Sequence, residues 1–149
     1  MKKTLLFSLM LALVAFVSCT KTETVTVDSS KPNGTFTPKL SGALVAQNGT
    51  PTAGTASLGT DGQSSNWVKL GSDFKTELGT GTATLYLSTS ATYKASPGTG
   101  NPDLKLVGVI PKNGEQYFKL SAAPEAKFTY IIVWCGSASI PFGNAMLKV

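Results

Sequence analysis

The sequence feature that most constrains the fold is the run Tyr130–Cys135, in which six consecutive residues are β-branched, aromatic or cysteine. A run of this kind without polar alternation is typical of a β-strand that is covered on both faces. The run ends in Cys135 and is followed at once by Gly136 and Ser137. We therefore expect a central strand whose last residue is a thiol at the start of a turn.

Short β-type segments separated by turn dipeptides fill the chain from Asn33 onward. Asn-Gly and Asp-Gly pairs supply the positive φ of tight turns, and they occur at 33–34, 48–49, 61–62 and 113–114. The other predicted strands are 35–45, 55–58, 66–70, 83–88, 104–110 and 116–120, the last two joined as a hairpin at 113–114. Outside the leader, no window shows the apolar stripe of a helix. The sequence predicts an all-β fold, either an antiparallel β-sandwich or a flattened barrel of about eight to ten short strands.

The beginning of the chain resembles an export signal. Met1-Lys2-Lys3 is a short positive head, and Thr4 to Val17 is almost wholly apolar but too short for a permanent transmembrane helix. Cys19 follows at a position that resembles the lipobox of bacterial lipoproteins, which implies that the cysteine is acylated, for example with palmitate, and that the leader is removed before it. A simple cleaved signal in which Cys19 is incidental is the alternative.

This pattern predicts three parts of the chain: a lipoprotein-type signal peptide at 1–18, a lipidated cysteine and polar tether at 19–32, and a β domain at 33–149. The tether is rich in Thr, Ser, Lys and Glu, although Thr24 to Val27 is also compatible with a first edge strand. Its twelve residues 20–31 would reach up to roughly 40 Å if fully extended. We expect an exported protein, attached to a bacterial cell membrane through its lipid, at the outer membrane or cell surface.

The composition excludes several classes of function. The chain contains no histidine, so Ser-His-Asp and Cys-His catalysis, histidine zinc sites and bis-histidine haem are ruled out. It contains no arginine, and its lysines are scattered, so a nucleic-acid partner is not expected despite a net charge of +5. The acidic residues, among them Asp73 and Glu115, show neither a calcium-loop spacing nor a carboxylate pair and are interpreted as solvated loop charges. No catalytic constellation is recognisable.

Cys135 has a structural and a functional interpretation. A cysteine at the end of a core strand is often a small buried hydrophobic residue. It can also be a redox-active thiol or a soft ligand to a prosthetic iron, but thiolate character then requires a nearby lysine or an oriented backbone, because arginine and histidine are absent. No other metal ligand is predicted.

Aromatic residues raise a third possibility, a stacking surface for a sugar. The residues concerned are Trp67, Tyr86, Tyr93, Tyr117 and Trp134. Burial in strands explains the two tryptophans equally well. Tyr93 lies in the predicted long loop 91–102 and is expected to be the exposed one.

The end of the chain resembles a known family. The segment Val133-Trp134-Cys135, followed by Ile140 to Leu147 with Phe142 and Gly143, is similar to the carboxy-terminal signature of the DM-thirteen domain, a module found with DOMON domains and proposed to act in electron transfer. The resemblance extends from Gly34 to Leu147. It implies an all-β domain with one characteristic cysteine, here Cys135, that acts as a bare thiol or holds a group such as haem.

Two functions follow as expectations. The first is a membrane-anchored envelope lipoprotein with an electron-transfer or redox role centred on Cys135, with Trp134, Phe142 and Gly143 as its neighbouring signature and an unidentified redox partner. The alternative is a non-catalytic envelope module that binds a glycan or a protein partner through its loops and sheet surface.

Overall fold

Antiparallel strands make up the regular structure of the part of the chain that the structure describes. The computed structural model describes residues 29–79, 81–95 and 101–149. These ranges contain no helix, and their strands are β1 (Thr37–Ala43), β2 (Val45–Ala46), β3 (Thr55–Thr60), β4 (Asn66–Leu70), β5 (Ala83–Ser88), β6 (Leu104–Val109), β7 (Gln116–Lys119), β8 (Tyr130–Cys135) and β9 (Ile140–Met146). The predicted all-β fold is confirmed.

The strands form two sheets that pack as a β-sandwich. One sheet has four strands in the order β1-β3-β4-β7, and the other has five in the order β2-β9-β8-β5-β6. Every pair of neighbouring strands is antiparallel. Strand β8 lies between β9 and β5, so the apolar run Tyr130–Cys135 is a central strand.

The core lies between the two sheets and follows from the period-two alternation of the strands. In β4, Val68 and Leu70 belong to the core, while the alternate residues Trp67 and Lys69 lie on the outer face. In β8, the inward residues are Ile131, Val133 and Cys135, each 0% exposed. Side chains from both sheets complete this cluster, among them Ala56, Leu58, Leu85, Leu87, Phe142 and Ala145. Phe74 and Phe128 join it from the loops between strands.

The predicted hairpin at 113–114 is wrong. Strand β6 pairs with β5, whereas β7 pairs with β4, so the two segments belong to different sheets. The Asn113 side chain accepts a hydrogen bond from the Thr76 amide at 2.9 Å, and the Gly114 amide donates to the Phe74 carbonyl at 2.8 Å. The positive φ of Gly114, 83°, therefore serves a crossing between the sheets rather than a tight hairpin.

The single strand predicted at 35–45 is divided between the sheets. Strand β1 pairs with β3, and after one residue β2 pairs with β9. The change occurs at Leu44, which is buried and donates its amide to the Gly54 carbonyl at 2.8 Å. Because both parts are extended and only one residue separates them, the sequence pattern alone does not show where the chain leaves one sheet for the other.

Candidate functional site

Cys135 lies inside the sandwich. It is the last residue of β8, is 0% exposed, and belongs to the apolar core. Its Sγ lies 3.3 Å from the Ser137 hydroxyl and accepts the Ala138 amide at 3.4 Å. The turn that supplies these two groups, residues 136–139, is exposed. The sulfur is thus buried, although it is adjacent to a surface turn.

A haem ligated by Cys135 does not fit these surroundings. A haem iron needs open space beside its sulfur ligand, and here the sulfur is enclosed by core side chains and by the turn. On the neighbouring strand β5, the residue opposite Cys135 is Ala83, which is itself only 2% exposed. Interiors of this kind are close-packed, so a porphyrin would have to displace the core.

The three signature residues around Cys135 have different environments. Phe142 is buried in the same core. Gly143 allows a close approach: a Cβ on it would lie 2.7 Å from both the Val45 carbonyl oxygen and the Thr52 methyl. Trp134 is half-buried on the opposite, outer face of β8. The structure therefore accounts for Phe142 and Gly143 by packing and does not group all three around the sulfur.

Cys19 and the leader, together with most of the predicted tether, lie outside the described residues. Among the residues that are described, no helix is long and apolar enough to cross a membrane. The same residues contain no cluster of three or more Cys, Asp or Glu side chains able to hold a metal ion.

One aromatic cluster covers the outer face of the five-stranded sheet. The ring of Tyr93 stacks on Trp134, with centroids 3.8 Å apart and planes at 12°, and meets Tyr86 edge-on at 5.3 Å. Burial, and then a hydrogen bond with Tyr86, raises the pKa of Tyr93. The expectation that Tyr93 is exposed is wrong, because this ring folds back and occupies the indole face that a sugar would need.

A second aromatic cluster lies on the outer face of the four-stranded sheet. Tyr117 meets Phe36 edge-on at 5.8 Å and Trp67 at 6.5 Å. The register places Lys69 opposite Tyr117 and Lys119 opposite Trp67. Each lysine ammonium lies over a ring, at 5.3 Å from the Tyr117 centroid and 5.6 Å from the Trp67 centroid. Cation–π attraction therefore helps to order this face.

A buried carboxylate, that of Asp61, holds the indole of Trp67 in place. Its indole Nε1 donates to Asp61 Oδ2 at 2.9 Å, and Asp61 also accepts the amides of Asn33, Gln63 and Ser65. Burial acts to raise the pKa of Asp61, but these four hydrogen bonds outweigh it and lower the pKa. Trp67 is only 2% exposed, so it supports the surface rather than forming it.

An open groove of about 390 Å³ lies beside this cluster. Its lining combines an aromatic ring, hydroxyl groups and charges, supplied by Phe36, Thr55, Ser57, Lys69, Asp73 and Glu115. Lys69 Nζ lies 2.8 Å from Glu115. Asp73 accepts the Thr55 amide at 3.1 Å and its hydroxyl at 3.0 Å. The polar groups of the groove are thus held in place by neighbours within the sheet and its loops.

Both carboxylates of the groove are stabilised as anions. The hydrogen bond from Lys69 lowers the pKa of Glu115, and the same bond raises the pKa of Lys69. The Thr55 amide is the main cause of the lowered pKa of Asp73. Neither carboxyl is therefore protonated at neutral pH.

A smaller groove of about 250 Å³ shares Glu115 with the first. Lys31, Val109, Lys112 and Gln116 are among the residues that line it. Gln116 is buried, and its amide nitrogen donates to the Lys112 carbonyl at 2.6 Å. Its carbonyl oxygen has no hydrogen-bond partner among the described residues.

Sequence reasoning found part of this surface. It named Trp67 and Tyr117 as stacking candidates and interpreted Asp73 and Glu115 as solvated charges, and both carboxylates are exposed. It overlooked Phe36 and the groove that these residues share. A signal was present in β4 and β7, where an aromatic residue and a lysine alternate on one face as Trp67 and Lys69, and as Tyr117 and Lys119. The pairing of β4 with β7, which the predicted hairpin excluded, is what brings them together.

Known proteins offer no direct guide to this site. No protein-family model, curated protein or solved structure matches the chain. The likeness to the DM-thirteen domain therefore stays a proposal, and the function has to be inferred from the contacts, burial and charges of this chain's own residues.

Proposed function

We propose that this chain is a lipid-anchored protein of the bacterial cell envelope that binds a saccharide on the outer face of its four-stranded sheet without catalysing a reaction. The observation that supports this most is the groove beside Phe36, in which a ring, hydroxyl groups and charged groups converge. A sugar ring has an apolar face that packs on an aromatic side chain and a rim of hydroxyls that need hydrogen-bond partners. The groove offers both.

Binding without catalysis agrees with the protonation of the groove. Glycoside hydrolysis requires one carboxyl group with a raised pKa to protonate the leaving oxygen. Asp73 and Glu115 both have lowered pKa values, so each is an acceptor of hydrogen bonds and not a general acid at neutral pH. Ionised carboxylates fixed by neighbours are suited to hold sugar hydroxyls.

A screen of immobilised glycans tests this function. The full-length chain, purified in detergent, is expected to bind at least one saccharide, and Phe36→Ala is expected to weaken that binding. Tyr86→Ala is the matched control, because it removes an aromatic ring from the outer face of the other sheet. Failure to bind any glycan, or equal binding by Phe36→Ala and the wild-type chain, would refute the proposal. Capture of a protein instead would favour a protein partner.

The proposed anchor is tested by intact mass. The leader and Cys19 predict a mature chain that begins at Cys19 and carries acyl groups. Cys19→Ala is expected to abolish both the cleavage and the added mass. A mature mass that the substitution leaves unchanged would remove the lipoprotein proposal.

A redox role for Cys135 is the second candidate. It is favoured by the Ala138 amide, which donates to the sulfur, and by the adjacent Ser137 hydroxyl, which is able to donate to a thiolate. The resemblance to the DM-thirteen domain supports it as well. Alkylation of the native protein separates this role from simple packing. A redox thiol is expected to react before unfolding through opening of the exposed turn, whereas a packing residue reacts only after unfolding.

A further inference from the structure

We infer that the two grooves on either side of the Lys69–Glu115 ion pair form one continuous site for an extended, uncharged saccharide chain. This inference rests on the proposed function and adds the length and the charge class of the ligand. The grooves meet at Glu115, which lines both. A ligand that follows them would pass over an ion pair already fixed at 2.8 Å.

The sizes of the grooves favour a chain over a single sugar. Small-molecule sites usually enclose about 300 to 1,000 Å³. The first groove, at about 390 Å³, is at the lower end of this range, and the second, at about 250 Å³, falls below it. The second groove is therefore better explained as an extension of the first than as a site of its own.

Gln116 supplies an independent observation in the second groove. It is 8% exposed and keeps its amide nitrogen bonded to the Lys112 carbonyl, which leaves its carbonyl oxygen buried without a partner. Buried acceptors are nearly always satisfied, so this enclosed oxygen calls for a donor, which a ligand in the groove can supply once the Gln116 side chain turns outward. A sugar hydroxyl provides one.

The charges around the grooves argue for an uncharged ligand. Lys31, Lys69 and Lys112 are the cations, and Asp73 and Glu115 are the anions. Lys69 and Glu115 neutralise each other. Asp73 would repel a polyanion, and Lys31 and Lys112 would repel a polycation. Neither kind of ligand therefore finds complementary charge along the whole length of the site. Hydroxyl groups can use both kinds of partner.

An extended peptide is the competing occupant, because β7 is an edge strand of its sheet. A peptide would add to the backbone of that edge. The free edge does not explain the unpartnered oxygen of the Gln116 side chain or the aromatic groove on the sheet face, so we favour the saccharide.

Calorimetric titration with linear cello- and chito-oligosaccharides, from the disaccharide to the hexasaccharide, tests the inference. We expect the affinity of the full-length chain to rise about tenfold or more between the shortest and the longest oligomer, equivalent to at least about 1.4 kcal/mol. Val109→Lys fills the second groove from a position that is 56% exposed, and it is expected to abolish this gain while leaving disaccharide binding intact. Gln116→Leu should reduce the gain, with thermal unfolding measured in parallel.

The charge class is tested with matched substitutions. Glu115→Gln is expected to weaken all oligomers, whereas Glu125→Gln, which also removes the acid of a surface Lys–Glu pair, should not. Affinity that does not depend on length, or a gain that survives Val109→Lys, would overturn the continuous site while leaving the proposed function standing. Preference for charged oligosaccharides or for peptides would overturn the ligand class. Absence of binding to every oligomer and to every immobilised glycan would overturn the proposed function as well.

Discussion

Gly143 lies between strand β2 and the loop residue Thr52, which leave no room for a side chain. A Cβ at this position would lie 2.7 Å from the Thr52 methyl carbon and 2.7 Å from the Val45 carbonyl oxygen. Thr52 cannot yield easily, because its hydroxyl is bonded to Thr50 at 2.9 Å and to Thr76 at 2.8 Å, and it is 2% exposed. We therefore predict that Gly143→Ala destabilises the fold.

The size of this effect follows from the contact distances. Carbon atoms pack best at about 3.5 to 4.0 Å, so the threonine methyl or the β9 backbone has to move by roughly 0.8 Å or more. Overpacking of this kind costs about 1 to 3 kcal/mol in unfolding free energy. With a urea slope of about 1 to 3 kcal/mol per molar, a loss of 2 kcal/mol lowers the midpoint by about 1 M.

Urea unfolding followed by tryptophan fluorescence measures this change, and Gly136→Ala is the matched control. A Cβ on Gly136 would meet Thr82 at 3.6 Å, an ordinary contact, and its φ is not positive. That substitution should be neutral or stabilise the fold by about 0.4 to 1 kcal/mol. If both variants unfold at the wild-type midpoint, the close packing of Thr52 and β2 against β9 is refuted.

Three further predictions concern the response of stability to acid, the stacking of Tyr93 on Trp134, and the packing of Cys135 in the core. Because the folded pKa of Asp61 is lowered, its contribution to stability is present above the unfolded pKa of about 3.9 and is lost as the pH falls through the folded pKa. Asp61→Asn should therefore reduce stability at pH 7 and flatten the acid transition measured by tryptophan fluorescence. Tyr93→Ala should expose Trp134 and increase acrylamide quenching without changing saccharide affinity; unchanged quenching would contradict the stacked arrangement. Cys135→Ala should lower the unfolding free energy by roughly 1 to 3 kcal/mol, because it leaves a cavity in the core; wild-type stability in urea would contradict a packing role.

Strands with a clear alternation could be predicted from the sequence. β4 and β5 begin and end where the pattern placed them, at Asn66–Leu70 and Ala83–Ser88. The central position of β8 followed from its unbroken apolar run. Which strands pair with each other was harder to predict, because an Asn-Gly dipeptide supplies positive φ for a crossing between sheets as readily as for a hairpin. The error at Asn113 therefore came from a local signal that long-range contacts overrode.

The candidate site could be predicted only in part, because it depends on pairing between distant strands. Trp67 and Tyr117 were named from their residue type, but their contact requires β4 to lie beside β7. Phe36 reaches the same face from before β1, a position that no sequence period reveals. The fold-back of Tyr93 onto Trp134 is likewise a tertiary contact, so its exposure could not be judged from the loop sequence.

The central claim is that the outer face of the four-stranded sheet binds the ligand. The most direct test is a titration of the isotope-labelled full-length chain with a linear uncharged hexasaccharide. The readout is the change in each backbone amide chemical shift. We expect the largest shifts at Phe36, Lys69 and Tyr117. Shifts concentrated at Tyr93 and Trp134 on the opposite face, or no shifts at saturating saccharide, would contradict the claim.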